Sequence, residues 1–298
     1  PFSQQTYIYG PYDLPWLGAT LPNKEQMAAD WDGDGVNDLI LMGPIDIHSG
    51  VMSLAVVRAQ YGDDDFIHHG QVTLQAPAAH ANNNFIAGDF NGNGRADIVI
   101  AGGGVNALNL YMYASDAAAI YKPYVLTTEA CSAPTATNPR CYAVDMQKFS
   151  ARIKYSQYDS ILMSAVHQGH VLIQAIESNG DGTFNALPPQ RIPIPGNPVS
   201  GQILVGDVDA DGLADILVLH RQDNAAGEHE FRISVFGNTN GVYSRWTTNS
   251  FSVMPDWENH RHTVMDVNGD GASDLVVVAQ QKNSSGRERN IQIAVFLG

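Results

Sequence analysis

The sequence predicts an all-β chain, a five-bladed β-propeller of four-stranded blades. One domain spans residues 1–298, and the N-terminal strand joins the C-terminal blade to close the ring. Three observations predict this. A nine-residue loop rich in Asp, Asn and Gly recurs four times, with its leading Asp at 30, 89, 207 and 266. The intervals are 59, 118 and 59, so the middle one holds two units. Short apolar runs rich in Val, Ile, Leu and aromatics flank each loop, and no window keeps a helical period.

The units follow in order. The first loop reads Asp30-Trp31-Asp32-Gly33-Asp34-Gly35-Val36-Asn37-Asp38 and runs straight into Leu39-Ile40-Leu41. Residues 89–97, 207–215 and 266–274 repeat the pattern. The doubled interval requires a further unit near residue 148. There residues 142–146 resemble an entering strand and residues 158–163 a leaving one. Between Asp145 and Asp159 the loop is replaced by a longer segment carrying Lys148, Arg152 and Lys154. This third repeat is expected to hold no metal. Its cations either fill the vacant position electrostatically or point into water.

A second marker keeps the same register. Tyr7, Phe66, Phe184 and Tyr243 each stand 23 positions before a leading Asp, and Tyr121 in the third repeat is off by one. Each unit reads as four short strands, for example 67–74, 85–90, 97–101 and 108–113. Four strands per unit with radial repetition is the propeller pattern. Tyr7-Ile8-Tyr9 matches an outer strand, whereas residues 291–297 match a third strand with no outer one after it. Joining them leaves no exposed sheet edge. The turn Asn179-Gly180-Asp181-Gly182 lacks a ninth-position oxygen and reads as a hairpin turn.

Side-chain oxygens at positions 1, 3, 5 and 9, with the position-7 carbonyl, suit a hard cation that takes six to eight oxygens. The first set is Asp30, Asp32, Asp34 and Asp38 with the carbonyl of Val36. The second is Asp89, Asn91, Asn93 and Asp97 with that of Arg95. Then come Asp207, Asp209, Asp211 and Asp215 with Leu213, and Asp266, Asn268, Asp270 and Asp274 with Ala272. About four calcium (Ca2+) sites are expected. Magnesium demands a tighter octahedral shell, and zinc prefers Cys or His. The twelfth position is Leu41, Ile100, Val218 or Val277, not the bidentate Glu of an EF-hand.

The stretch Ala87-Gly88-Asp89-Phe90-Asn91-Gly92-Asn93-Gly94-Arg95-Ala96-Asp97-Ile98-Val99-Ile100 resembles an FG-GAP/VCBS repeat, the calcium-loop propeller unit also found in integrin α chains. The resemblance covers essentially the whole chain, with the third repeat departing from it. It implies a propeller fold and calcium, and it is nearly silent on function.

Charge and cysteines bound the classes further. The formal net charge is −15, and the four loops hold four, two, four and three carboxylates, thirteen of the chain's 31. Much of the acidity is therefore cation-binding charge. No basic stripe offers itself to nucleic acid. No apolar run reaches the 18 or so residues of a membrane span. Cys131 and Cys141 lie ten apart without metal-type spacing and read as a short-loop disulfide in an oxidising compartment. The chain starts at Pro1, as a mature secreted (extracellular) product or an excised domain would.

In the resembling fold the calcium loops share one face. The other face would then collect His48, His80, His167, His170, His220, His229, His260 and His262, with Trp16, Trp257 and the 131–141 loop. Residues 255–262 are the most ligand-like stretch, with Trp257 as an aromatic platform and Asp256, Glu258, His260, Arg261 and His262 as polar partners. This composition suits a glycan, and Trp257, His260, His262, Trp16 and His80 are the candidate ligand residues. The competing possibility is that Trp257 packs between blades. His167-Gln168-Gly169-His170 offers either two metal nitrogens or a tight polar turn. No nucleophile elbow, phosphate loop or His-Glu-x-x-His occurs. Asp256 and Glu258, two apart in one loop, need not reach the separation of glycosidase carboxylates.

Three functions follow. The first is a secreted calcium-binding recognition module for carbohydrate, working as a lectin or as the recognition domain of a toxin or adhesin. The second is a polysaccharide-degrading enzyme, a lyase or glycoside hydrolase. The third is an integrin-like module that binds a protein partner.

Overall fold

The computed structural model describes residues 25–46, 51–59, 66–75, 84–104, 107–115, 123–127, 146–196, 198, 201–223, 229–251, 257–281 and 291–298. Their regular structure is all β. No helix among them is long and apolar enough to cross a membrane. The chain divides into two compact units, residues 1–83 and 84–298.

The first unit carries one antiparallel sheet in sequence order. It comprises β1 (Glu25–Ala29), β2 (Asp38–Asp46), β3 (Val51–Ala59) and β4 (Phe66–Gln75). Side chains alternate across a strand, so Ile40 and Met42 of β2 are buried while Leu39, just before them, is 37% exposed. Leu54 and Val56 of β3 join the buried side.

The second unit repeats this plan. Its first sheet is β5 (Asn84–Gly88), β6 (Asp97–Gly104), β7 (Ala107–Tyr113) and β8 (Pro123–Thr127). The next starts with β9 (Gln147–Ala151), β10 (Ser160–His167) and β11 (His170–Ser178). Two short strands, β12 (Phe184–Ala186) and β13 (Gln190–Pro193), pair with β11 in succession. A third sheet holds β14 (Gln202–Gly206), β15 (Asp215–Asp223), β16 (His229–Thr239) and β17 (Val242–Phe251). The last has three strands among the described residues, β18 (Trp257–Met265), β19 (Asp274–Gln281) and β20 (Ile291–Phe296). The N-terminal strand expected to complete it lies outside the described residues.

Successive sheets of the second unit stack through apolar layers, and β10 and β15, the second strands of the two middle sheets, feed both sides. Ile161 and Met163 of β10 pack with Val99, Leu110 and Met112 of the sheet before. Leu162, between them, packs with Ile216 and Val218 of the sheet after. Leu217 and Leu219 of β15 then meet Leu275 and Val277 of β19. Burial on both faces explains why these strands are continuous apolar runs instead of alternating ones.

The strand at 67–74 is the outer strand of the sheet begun by β1, the place that the expected joining of Tyr7–Tyr9 to the last sheet implies for the first strand of a unit. One sequence expectation changes. The third repeat keeps a loop of normal length: β9 ends at Ala151 and β10 begins at Ser160, so the loop is residues 152–160. The longer segment expected between Asp145 and Asp159 is therefore corrected. The entering strand is Gln147-Lys148-Phe149-Ser150-Ala151, and its polar composition hid it from an apolar-run search.

Candidate functional site

Each acidic loop joins the first two strands of a sheet. It is shaped by its leading Asp before any metal is considered. Gly33 N and Asp34 N donate to Asp30 Oδ1 at 2.7 and 3.1 Å, and Gly35 N donates to Oδ2 at 2.8 Å. Asp89 receives Gly92, Asn93 and Gly94 in the same way. Wrapping so many N–H groups round one carboxylate needs left-handed backbone at positions 4 and 6. Gly33 and Gly35 have φ of 80° and 86°. In the loop at 207, position 4 is Ala210 with φ 58°.

The ninth-position Asp closes the loop from the other end. Asp38, Asp97, Asp215 and Asp274 are all essentially buried. Their Oδ2 atoms accept the N–H of position 2, from Trp31, Phe90, Val208 and Val267, at 2.9–3.1 Å. Oδ1 reaches to the end of the third strand, accepting Ser115 N on Asp97, Asn238 N on Asp215 and Gly298 N on Asp274. Burial pushes the Asp97 carboxyl up to about 7 and Asp215 to about 6, against the lowering effect of these N–H donors. A cation beside such a group favours its ionised form.

Positions 1, 3 and 9 converge. Asp30, Asp32 and Asp38 each bring an oxygen within 4.8 Å of the others, and so do Asp207, Asp209 and Asp215. Oxygens that share one cation at about 2.4 Å lie at most about 4.8 Å apart, so both trios fit a hard metal ion. Position 5 stands outside the trio. Its oxygen caps the N–H of position 7, as Asp34 Oδ1 does for Val36 and Asp211 Oδ1 for Leu213, each at 2.8 Å. In the loops at 89 and 266 the third position is an amide. Asn91 Nδ2 donates to Asp97 Oδ1 at 3.3 Å, and Asn268 Nδ2 to Asp270 Oδ2 at 2.8 Å.

The loops of the second unit are joined in series by main-chain bonds. The N–H of position 8 donates to the position-1 carbonyl of the preceding loop: Ser273 N to Asp207 O at 2.6 Å, Ala214 N to Arg152 O at 2.8 Å, Asp159 N to Asp89 O at 2.8 Å. This pattern fixes the register of the third loop. Arg152 occupies position 1, Lys154 position 3, Ser156 position 5 and Ser160 position 9, so none of the four carries a carboxylate. Lys154 pairs with Glu177 of β11 at 3.0 Å, and Lys148 donates to Asn84 Oδ1 at 2.8 Å. Neither lysine simply points into water. Tyr155 reaches the next loop, its hydroxyl donating to Asp211 Oδ2 at 3.2 Å. Counting back from the strand at Ser160, instead of from acidic residues, finds this register in the sequence.

The ligand residues expected on the other end are only partly brought together. Trp257, His260 and His262 lie on β18, a strand, and not in the expected loop; the apolar-poor run hid its pairing with β19. His262 Nδ1 sits 2.6 Å from Gln202 Oε1, and its ring centroid is 6.1 Å from that of Phe231. Trp16, His80, Cys131 and Cys141 lie outside the described residues. Residues 167–170 form a tight turn, with Gln168 and Gly169 both at positive φ, and His170 Nδ1 rests on Gln168 O at 2.8 Å. His220 is not a loop residue. It is buried in β15, and neither ring nitrogen has a hydrogen-bond partner among the described residues. The turn at 179–182 is a hairpin turn, with Asn179 N donating to Thr183 O at 3.0 Å.

Fold and loops together define a repeat protein of serial antiparallel sheets, each with a nine-residue loop between its first two strands, acidic in all but the third repeat. The repeat is of the FG-GAP type: residues 162–218 match the FG-GAP-like repeat family. No curated protein matches the chain significantly. Among solved structures, the chain is similar to the exotype rhamnogalacturonan lyase YesX at 14% identity and a TM-score of 0.43, over 91% of this chain and 55% of that one. The rhamnogalacturonan lyase YesW gives 14% and 0.44, over 86% and 55%. The catalytic domain of Coprinopsis cinerea GH62 α-L-arabinofuranosidase gives 10% and 0.37, over 93% and 92%. The chain thus spans about half the length of the two lyases.

Proposed function

We propose that the chain is a secreted, calcium-binding recognition module with carbohydrate as its ligand. The observation that carries the calcium reading is the convergence of positions 1, 3 and 9 on one small volume, in Asp30/Asp32/Asp38 and again in Asp207/Asp209/Asp215. Clustered carboxylates repel one another, and a bound cation removes that penalty while tying both ends of the loop. The metal's role is to stiffen the repeats. The loops at 89 and 266 complete the set of four, the first of them with the fewest carboxylates and the weakest binding.

The near-constant interval between units supports one domain of five blades over residues 1–298, with the strand around Tyr7–Tyr9 completing the last sheet. Cys131 and Cys141 pair as a disulfide in this reading, which suits secretion. The ligand class rests on the aromatic and hydrogen-bonding residues of β18. Trp257 and His260 share that strand with His262, beside Gln202 and Phe231, and Trp16 and His80 are the remaining candidates. Aromatic faces take the apolar side of a sugar ring, and planar polar groups take its hydroxyls. A glycan array probed with calcium-loaded protein tests this. Binding to a defined glycan class, lost on Trp257→Ala, is the expected result. An array with no binder overturns the carbohydrate assignment.

A further inference from the structure

The third loop bears an aromatic residue where the acidic loops bear a small one. Position 4 is Gly33, Gly92, Ala210 and Gly269 in those loops, all with left-handed backbone, and Tyr155 in the third. Neither Tyr155 nor Gln157, at positions 4 and 6, has a positive φ. The third loop therefore does not wrap its N–H groups round position 1, where Arg152 has no carboxylate to offer them. On this different path Tyr155 turns towards the loop at 207. Main-chain bonding of Ala214 N to Arg152 O sets the two loops side by side.

Burial does not explain a tyrosine at this place, because its side chain is 69% exposed. What it makes is the hydrogen bond to Asp211 Oδ2 at 3.2 Å. Asp211 is thereby held at both oxygens, since its Oδ1 accepts Leu213 N at 2.8 Å. Its main chain is held as well. Asp211 N donates to Asp207 Oδ1 at 3.1 Å and to Asp209 Oδ1 at 3.2 Å, two of the three carboxylates that converge in this loop. Tyr155 thus stands at the outer end of a hydrogen-bond chain that runs through Asp211 into the cation site.

We propose that Tyr155 is a positioning residue for the cation site of residues 207–215, lent by the repeat that has no such site of its own, and that it raises the calcium affinity of that loop. This rests on the calcium reading above. A hydroxyl that donates to a carboxylate orients it without taking the ion itself, and outer contacts of this kind set metal affinity. A carboxylate already fixed at both oxygens loses little freedom when the ion arrives. The loops at 30 and 207 carry the same set, Asp at positions 1, 3, 5 and 9, so the carboxylates alone do not distinguish them. Competition between the hydroxyl and the ion for Asp211 would have the opposite sign, and removing the hydroxyl would then tighten the site.

The full chain, stripped with chelator and titrated with calcium in a calorimeter, tests this. The site that disappears on Asp209→Ala is the one at 207. Tyr155→Phe, which removes only the hydroxyl, should weaken that site by about tenfold and leave the other sites unmoved. Its melting temperature in chelator should equal that of wild type, which separates a role in the site from a role in the fold. In the Asp209→Ala background, Tyr155→Phe should change neither the titration nor the melt in calcium. Unchanged affinity at the 207 site overturns the proposal and leaves the calcium reading standing. So does a tighter site, or an equal weakening of every site. A wild-type chain with no calcium site that Asp209→Ala removes overturns the proposal and the calcium reading of this loop together.

Discussion

Asp159 and Asp89 hold each other in both directions. The main-chain N–H of Asp159 donates to Asp89 O at 2.8 Å, and the N–H of Asp89 donates back to Asp159 Oδ2 at 3.0 Å. Ser150 Oγ adds a third bond to the same carboxylate oxygen at 3.2 Å. Gly88 gives the close approach, since a Cβ there would collide with Ser150 Oγ. The acidic loop at 89 is thus clasped by the repeat that has lost its own acidic loop. Asp159→Ala should leave the Asp89 N–H without its acceptor and lower stability by about 2 kcal/mol. Burial raises the Asp159 carboxyl above the ordinary range, so its surroundings disfavour the charged form, and the bond from Asp89 N needs only an acceptor oxygen. Asp159→Asn, which keeps an acceptor, should therefore lose much less. Urea titrations of the two variants decide it, and equal losses would show that charge and not acceptance is what matters.

Ala210 sits where three other loops place glycine. Its φ of 58° is left-handed, matching Gly33 at 80°, Gly92 at 75° and Gly269 at 81°. A left-handed L-residue costs about 1–2 kcal/mol, and part of that relief is offset by the greater unfolded freedom of glycine. Ala210→Gly should stabilise the protein by about 0.5–1 kcal/mol. A shift of the urea midpoint to higher concentration at constant slope checks this. A lower midpoint would mean that the loop tolerates alanine without strain.

The acidic loops and the strands beside them were legible because each position obeys a local rule. Oxygens at 1, 3, 5 and 9 mark the loop, and apolar runs mark the doubly buried strands that follow. The third repeat is hidden from a pattern of acidic residues for a physical reason: the geometry it shares with the other loops is main-chain. Arg152 does with its carbonyl what Asp207 does with its own, and no side-chain pattern records that. The split of labour within a loop was likewise hidden. Asp34 and Asp38 look alike in sequence, yet one caps a neighbouring N–H at the surface and the other is buried with its oxygens in the backbone. His220 resembles a loop histidine in sequence because a polar residue at a strand's end carries no sign of its burial.

Within one loop, Asp215 and Asp209 should fail in different ways. Asp215 is fully buried and accepts Val208 N at 2.9 Å and Asn238 N at 2.8 Å, bonds made within the protein itself. Each N–H stranded by Asp215→Ala costs about 1–3 kcal/mol. That variant should melt lower both in calcium and in chelator. Asp209 is exposed and accepts one loop N–H, from Asp211 at 3.2 Å. Asp209→Ala should melt lower than wild type in calcium and near wild type in chelator, because ligand-linked stability disappears with the ligand. Calorimetric melts of the three proteins in both buffers test this. The chelator alone should lower the wild-type melting temperature by several degrees. An unchanged wild-type melt in chelator would remove calcium from the account of stability.

His220 should make the fold sensitive to mild acid. It is buried at 2% exposure in β15, opposite Arg232 on β16. Burial lowers its pKa below the usual 6.5, and the nearby Arg232 charge lowers it further. The sign follows from which state holds the proton. Between the usual value and the lowered one, the unfolded chain takes up a proton that the folded chain refuses. The unfolded state binds more protons there, so stability falls as the pH falls, by up to about 1.4 kcal/mol per pH unit. Above the usual value both states are neutral at this position, and the histidine adds no pH dependence. His220→Leu removes the titrating group together with two buried nitrogens that lack partners, so it should raise stability at neutral pH and flatten this part of the acid limb. Urea midpoints of wild type and variant, taken from about pH 8 to about pH 5, give the difference directly. The gap between them should widen as the pH drops through the usual histidine range. A gap that stays constant across that range would show that His220 takes up its proton in the folded chain as readily as in the unfolded one.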